Sequence, residues 1–172
     1  MTRFYSEALG KHDRTAFASG NDKIDTYFRN VVSQDVKRNY ARCYVLVERE
    51  SGRLAGFYSL SATNIQLTEI PADLARKLPR YPTVPAVLIG WLGRDTGFRG
   101  QEIGAMLLRD AVVRVEASQI GAYALCADAI DEPAAAFYRR FLFTPFESRP
   151  MSLFLPLATA VKAIEGQGAP AG

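Results

Sequence analysis

The chain is poor in the residues from which most active sites are built. Its 172 residues hold two cysteines, one histidine, one tryptophan and three methionines. Cys43 and Cys126 lie far apart and form no Cys-X-X-Cys pair, so neither a zinc site nor a disulfide framework is expected. They read as two buried thiols in a reducing compartment. His12 is expected to serve a turn or a cap, and a Cys-His nucleophilic pair is not expected. No Gly-Lys-Ser/Thr follows a glycine loop, which excludes a P-loop. The three-glycine dinucleotide fingerprint is missing as well. No apolar run approaches the roughly 20 residues that span a bilayer. The start, Met-Thr-Arg-Phe-Tyr-Ser-Glu, has no apolar leader. The expected place of action is a bacterial-type cytosol, with no membrane role and no metal.

What is present is ordinary for one soluble domain: 48% hydrophobic residues, 23% charged and a net charge of +3. The mild positive excess permits an anionic partner without requiring one. A single domain is expected over residues 1–165. The Gly/Ala/Pro-rich end, residues 166–172, reads as a flexible tail.

The patterning predicts a mixed α/β sheet. Asn21 is placed to cap a helix whose stripe is Ile24, Tyr27, Phe28, Val31 and Val32. Strands are expected over 41–48 and 53–62, joined at Ser51-Gly52 as a hairpin. A proline-punctuated stretch, 65–83, with a short helix near 72–77, leads to a buried strand over 85–92. A loop at 97–100 feeds a long helix from Ile103, with Gly104, Leu107, Leu108, Ala111 and Val115 on one face and a glycine stop at Gly121. A strand over 123–127 and a short helix over 134–140 follow, with Pro133 suited to that helix's first turn. The last strands lie around Phe143 and 151–155, and a terminal helix is expected over 158–164.

The loop Arg99-Gly100-Gln101-Glu102-Ile103-Gly104-Ala105 carries the first chemical signal. A glycine-containing turn opening a long helix presents unpaired N–H groups and the positive end of the helix dipole. That is a site for a phosphate or pyrophosphate. Arg99 adds a cation, and Gly100 and Gly104 permit close backbone approach. A plain strand-to-helix turn has the same outline.

The segment resembles the acetyl-CoA signature of the GNAT acetyltransferases, Gln/Arg-X-X-Gly-X-Gly/Ala. Arg99 matches its first position and Gly104 its last. Glu102 stands where glycine is usual. It fits if its backbone is helical and its carboxylate faces solvent, and that charge should weaken cofactor binding somewhat.

A second segment, Cys126 to Phe143, is similar to the GNAT strand that ends in Asp128, followed by a short helix presenting Ala-X-X-Phe-Tyr. Leu142 occupies the glycine of the usual Phe-Gly-Phe, so a different turn is expected there. The resemblance implies that Tyr138 is the general acid that protonates the departing CoA thiolate. A phenol and a thiol have pKa values close enough for proton exchange. It also implies that the strand ending at Arg94 splays from the strand over 123–127, with pantetheine in the gap. A backbone N–H near Leu92 would then meet the oxyanion. The cofactor, acetyl-CoA, is expected to be held by Leu92, Gly93, Arg94, Arg99, Gly100, Gln101, Glu102, Ile103, Gly104 and Ala105.

The N-terminal third narrows the resemblance. His12-Asp13-Arg14-Thr15-Ala16-Phe17-Ala18-Ser19-Gly20, Tyr58-Ser59-Leu60-Ser61 and Pro79-Arg80-Tyr81-Pro82 leading to Pro85 look like the GNAT toxins of bacterial toxin–antitoxin modules. The likeness covers about Ala8 to Leu157. It implies acetylation of the α-amine of aminoacyl-tRNA, a block on translation, a homodimer and a ribbon-helix-helix antitoxin. Operator DNA enters only through the antitoxin complex. One difference is local: Gly90-Trp91-Leu92-Gly93-Arg94-Asp95 stands where these toxins read Gly-Arg-Leu-Ala-Val-Asp.

Candidate RNA contacts fall in three groups: Lys37, Arg38 and Arg42, near Arg29; Arg76, Lys77 and Arg80; Arg139 and Arg140, near Arg149. Such charges also solvate ordinary helix faces. No strong base is needed, because esterification lowers the pKa of an α-amine. The alternatives are a GNAT enzyme acting on a small amine or a protein N-terminus, and a weakly catalytic module acting with an antitoxin on operator DNA.

Overall fold

Asn21 does what its position predicts. In the computed structural model, which describes residues 2–168, its side-chain oxygen accepts from the N–H groups of Lys23 and Ile24 at 2.9 and 3.2 Å. Helix α1 (Asp22–Thr26) passes through a π turn (Tyr27–Val31) into α2 (Val32–Lys37). The Val32 N–H reaches back to the Tyr27 carbonyl, five residues away. A π turn widens one turn of the helix and rotates the residues beyond it about the axis. The expected stripe therefore loses Val31, which is 40% exposed, while Phe28 and Val32 are fully buried.

The remaining elements are β1 (Phe4–Ala8), β2 (Arg42–Glu48), β3 (Leu54–Gln66), α3 (Ala72–Ala75), β4 (Thr83–Arg94), α4 (Ile103–Ala117), β5 (Ala124–Asp128), α5 (Glu132–Arg140), β6 (Thr144–Pro145), β7 (Ser152–Pro156) and α6 (Leu157–Gly168). The strands are hydrogen-bonded in the order β1-β2-β3-β4-β5-β7-β6, a mixed sheet as expected. The pair β4–β5 is parallel, and β1–β2, β2–β3, β5–β7 and β6–β7 are antiparallel. Strand β1 was not anticipated. Only Phe4 of it is buried, so it carries no apolar alternation to read.

The chain divides into two compact units, each assembled from two segments. The first takes Met1–Ser61 and Gly90–Ala111; the second takes Ala62–Ile89 and Val112–Gly172. In the first, the π turn and α2 supply Phe28 and Val32 to a core with Phe17, Val45, Val47 and Phe57. The rings of Phe28 and Phe57 stack at 4.0 Å. Burial of each such side chain contributes roughly 2–3 kcal/mol. On its other side this unit packs α4. A Cβ on Gly56 would lie 2.9 Å from Leu107 and 3.0 Å from both Ile103 and the Gly93 carbonyl. Only glycine allows the helix that close. The Tyr58 hydroxyl and Ser6 Oγ both donate to Asp110 on α4, at 2.5 and 2.6 Å.

In the second unit, Ile65, Ile70, Val84, Ala86, Ala124, Cys126, Phe146 and Phe154 form the core. The β4–β5 ladder runs from Ala86–Ala124 to Ile89–Ala127 and stops there, while β4 itself continues to Arg94. The predicted parting of these strands requires such an end. Helix α6 runs through Gly166 to Gly168, so the helix covers the first three residues of the expected tail. Ala158, Ala160 and Ala163 are strong helix formers and carry it past the glycine. The rest of the tail, 169–172, lies outside the described residues. Helix α4 ends at Ala117, short of the glycine stop expected at Gly121. There the Ser118 N–H closes onto the carbonyls of Arg114 and Val115.

Candidate active site

In the first unit, the end of β4 and the turn after it are tied down by Asp95, which is 4% exposed. Its carboxylate accepts from the N–H groups of Ala18 and Gly97 at 3.0 and 2.9 Å and from the Arg53 guanidinium at 3.3 Å. Phe98 is then buried, its ring edge-on to Phe4 at 5.9 Å. Between this anchor and the buried Ile103, residues Arg99 to Glu102 form a tight, mostly exposed loop.

Two residues of that loop are left-handed: Gly100 at φ +76° and Glu102 at φ +59°. This corrects the expectation of a helical backbone at Glu102. The turn into α4 needs a positive φ there, which is why glycine suits the position. Glu102 adopts it at a cost of ~1–2 kcal/mol. Its side chain is exposed, as expected, and its carbonyl accepts the first helical bond, from the Met106 N–H at 3.1 Å. A Cβ on Gly100 would meet nothing within 4 Å, so open space faces it. Gln101 is engaged by Arg3, whose guanidinium donates to Gln101 Oε1 at 2.6 Å while pairing with Glu48 at 2.5 Å.

Leu92 and Arg94 are half-buried, and Gly93 is packed so closely that a Cβ would lie 2.7 Å from Ile24 and 2.8 Å from Phe57. Arg94 is the outlier. Its Nε is buried and has no hydrogen-bond partner among the described residues. A buried orphan donor costs about 1–3 kcal/mol, so this one calls for an acceptor. Trp91, one residue from Leu92, stacks on Tyr27 at 4.3 Å and 9°. Its backbone N–H donates to Ser59 Oγ at 3.1 Å. The ten expected cofactor residues thus lie in one unit along one stretch. Ile103, fully buried, can offer only its backbone.

In the second unit, Asp131 caps α5, accepting from the Ala134 N–H at 2.9 Å, with Pro133 in the first turn. Tyr138 is 6% exposed, its ring 5.2 Å from Phe143 and 5.3 Å from Phe137. Its hydroxyl makes no hydrogen bond within the described residues. Burial, and after it the charge of Asp128, push its pKa above the ordinary tyrosine value. A phenol so placed keeps its proton at neutral pH, as a general acid must. The N–H groups of Phe141 and Phe143 both reach the Tyr138 carbonyl, at 3.0 and 3.1 Å. Between them Leu142 sits at φ +75°, 56% exposed. The expectation of a different turn is corrected here: Leu142 takes the left-handed conformation that suits glycine, with its side chain outward.

The basic groups divide between the units. Lys37 and Arg38, at the end of α2, are exposed and make no ion pair among the described residues, while Arg42 donates to Asn39 Oδ1 at 3.1 Å. In the second unit, Arg76, Lys77 and Arg80 are exposed and also form no ion pair among the described residues. Arg139 is tied to Glu132 at 2.6 Å, and Arg140 lies over the rings of Phe137 and Phe141. Arg29 and Arg149 are committed to Asp25 and Glu69.

His12 takes the turn role expected of it: Nε2 meets Glu7 at 2.7 Å and Nδ1 accepts the Gly10 N–H at 3.0 Å. Both cysteines are free and buried, and burial pushes each thiol up to about 12. Among the described residues no group of three or more His, Cys, Asp or Glu is placed to hold a metal ion, and no helix is long and apolar enough to cross a membrane. The sequence reading missed Asp95 and Arg3. Asp95 had a visible signal, an Asp two residues before a glycine, where it caps a turn. Arg3 had none, because its partner Gln101 is 98 residues away.

The profile of the acetyltransferase (GNAT) family matches residues 9–143. The chain is 32% identical over 158 residues to a probable toxin TacT of Sinorhizobium fredii (strain NBRC 101917 / NGR234), with 87% of each chain covered. It is 32% identical over 150 residues to a tRNA-acetylating toxin of Mycobacterium tuberculosis (strain ATCC 25618 / H37Rv), covering 86% of this chain and 88% of that one. Among solved structures, AtaT complexed with acetyl-methionyl-tRNAfMet matches with a TM-score of 0.82 at 26% identity, covering 95% of this chain and 98% of that one.

Proposed function

Because the chain belongs to the acetyltransferase (GNAT) family, we propose that it is a toxin that transfers the acetyl group of acetyl-CoA to the α-amine of aminoacyl-tRNA and so blocks translation. The relatives named as toxins and as tRNA-acetylating support this reading over nearly the whole chain. The observation that carries the chemistry is the orphaned Arg94 Nε, on a strand end anchored by Asp95 and leading into the loop that opens α4. A donor set of this kind fits an anionic, carbonyl-bearing ligand.

Arg94, the N–H groups of residues 103–105 and the cation of Arg99 would hold the cofactor's phosphates and amide chain. The open face of Gly100 admits them. The cofactor supplies an activated acetyl thioester. A backbone N–H near Leu92 would meet the negative charge that develops on the carbonyl oxygen. Tyr138 would hold its proton for the departing thiolate, and the proton lost by the acylated amine would restore the phenol. Holding the amine beside the acetyl group replaces a strong base, since an α-amine carried on an ester is largely neutral at cellular pH. Lys37, Arg38 and Arg42, with Arg76, Lys77, Arg80, Arg139 and Arg140, are the candidate phosphate contacts. Segments of both units fall within the family match and act as one domain. The protein works in the cytoplasm as a homodimer, and a ribbon-helix-helix antitoxin neutralises it and brings it to operator DNA.

The test follows labelled acetyl groups into charged tRNA at several salt concentrations, with the free amino acid alongside. Transfer to charged tRNA should exceed transfer to the free amino acid and fall steeply with salt, because phosphate contacts release counterions. Acetyl-CoA binding should fall much less. Equal use of both acceptors, or no label in RNA at any salt, overturns the reading in favour of a small-amine acceptor.

A further inference from the structure

The chain has eight tyrosines, ten phenylalanines and one tryptophan. All are buried or half-buried except Tyr40 and Tyr81, which are 73% and 71% exposed. A single exposed apolar side chain is ordinary on a protein surface, but the setting of these two is not. Tyr40 falls in the run that holds Lys37, Arg38 and Arg42, in the first unit, and Tyr81 in the run that holds Arg76, Lys77 and Arg80, in the second. Each run has one carboxylate, Asp35 and Asp73. Three cations against one acid leave each stretch, 35–42 and 73–81, at a net charge of +2.

Elsewhere in this protein arginine covers ring faces. Arg49 lies over Tyr5 at 4.9 Å, Arg53 over Phe98 at 4.9 Å and Arg149 over Phe146 at 5.0 Å. The arginines beside Tyr40 and Tyr81 leave those rings bare, and no other ring packs on them among the described residues. Both rings are nevertheless carried on fixed backbone. The Tyr40 N–H donates to the Asp35 carbonyl at 2.8 Å, and Asn39 before it is left-handed at φ +62°, its N–H donating to the Val36 carbonyl at 3.2 Å. Tyr81 lies between Leu78, packed on the second unit's core, and Pro82, whose carbonyl accepts the Leu67 N–H at 3.0 Å. Pro79 and Pro82 lock φ on either side of it. A surface held ready in this way loses little entropy when something docks on it.

We propose that Tyr40 and Tyr81 are platforms on which unpaired bases of the acceptor RNA stack, with the flanking cations on its phosphates. The inference rests on the aminoacyl-tRNA reading above and adds to it two residues and the kind of RNA contact they make. A bare ring beside cations suits a single strand, because every base has a π face and a phosphate next to it. A base inside a duplex is already stacked on both sides, so the rings favour unpaired nucleotides. A protein partner fits the same surfaces less well, since lysine is depleted at protein interfaces.

The experiment uses the full-length protein and needs no turnover. Binding of fluorescently labelled, uncharged tRNA is followed by anisotropy at several salt concentrations. Tyr40→Ala and Tyr81→Ala should each weaken binding by about fivefold or more, the effect of losing one stacked base. Tyr40→Phe and Tyr81→Phe should stay within about twofold of wild type, as should the affinity of all four variants for acetyl-CoA. Neither ring is charged, so the slope of log K against log salt should persist in the alanine variants, whereas replacing Lys37 and Arg38 together with alanine should flatten it. In competition, a short unstructured oligoribonucleotide should displace the tRNA from wild-type protein better than a blunt RNA duplex with the same number of phosphates. That preference should vanish when both tyrosines are alanine. Unchanged affinity in both alanine variants, or equal competition by strand and duplex in the wild type, overturns the platforms. So does a loss of affinity that comes with dissociation of the protein's oligomer in sedimentation, which would make the rings a protein contact. The expected binding results with no acetyl group entering any charged tRNA overturn the acceptor reading and leave the platforms standing.

Discussion

The corner that opens α4 and the corner that closes α5 meet the same backbone demand with different residues. Each needs a left-handed residue. Glu102 supplies it at φ +59° and Leu142 at φ +75°. Both side chains are exposed, and both positions suit glycine. They differ in their surroundings. Leu142 is uncharged and stands between Phe141 and Phe143, whose N–H groups both bind the Tyr138 carbonyl. It carries strain and nothing else. Glu102 carries the same strain plus a negative charge at a helix N-terminus. That charge favours α4 through the helix dipole and opposes an anion at the same place. The strain at Leu142 therefore concerns stability alone, and the strain at Glu102 comes with a charge that bears on cofactor affinity.

The largest effect expected in this comparison belongs to the residue that the α5 corner positions. Tyr138→Phe should lower kcat by about 100-fold or more, with acetyl-CoA affinity within about twofold, because in the proposed mechanism the hydroxyl acts only as charge develops on sulfur. Burial and Asp128 raise the phenol's pKa. The folded protein thus holds this proton across the whole range below the ordinary value of about 10. Wild-type kcat should show no alkaline limb below that pH. A limb near pH 8–9 that vanishes in Tyr138→Phe would contradict the raised pKa, and a limb below pH 10 that persists in Tyr138→Phe would belong to another group. The α4 side answers with Arg94. Arg94→Ala should weaken acetyl-CoA binding roughly tenfold by calorimetry, and Arg94→Lys should restore little, since an ammonium cannot reproduce the guanidinium fork. Equal affinity in all three proteins would leave the buried Nε without a role.

Smaller effects separate strain from charge. Glu102→Gln should tighten acetyl-CoA binding a few-fold at low salt and less at high salt, because screening removes a surface charge effect. Glu102→Gly should give the same gain. If Glu102→Gly binds more weakly than wild type, the carboxylate instead braces the start of α4. Smallest is Leu142→Gly. Relief of the left-handed strain, less the entropy of glycine, should stabilise the protein by about 0.5–1 kcal/mol, a few degrees in Tm, with kcat unchanged. A fall in Tm would mean that the leucine side chain packs against something.

Much of this was legible in the chain itself. Asn21 as a cap, Pro133 in a first turn, the loop into α4 and the Phe-Tyr pair on α5 all depend on residues within a few positions of one another. The features that were not legible depend on distance or on phase. Arg3 meets Gln101, and Tyr58 meets Asp110, across separations that no local pattern encodes. The π turn at Tyr27 is a shift of phase: the apolar spacing reads the same with or without it, and Val31 alone reveals it by facing out. The positive φ of Glu102 and Leu142 was hidden because neither residue type announces it, although a glycine in either place would have. Strand β1 was hidden because it buries a single side chain.

The central claim is the identity of the product. After incubation of charged tRNA with acetyl-CoA and the protein, base hydrolysis of the tRNA should release the amino acid with an acetyl group on its α-nitrogen. Mass spectrometry would follow that species as it accumulates with wild-type protein and at about one hundredth of the rate with Tyr138→Phe. Acetyl groups found instead on the RNA itself or on free amino acid, or equal product from both proteins, would contradict the account.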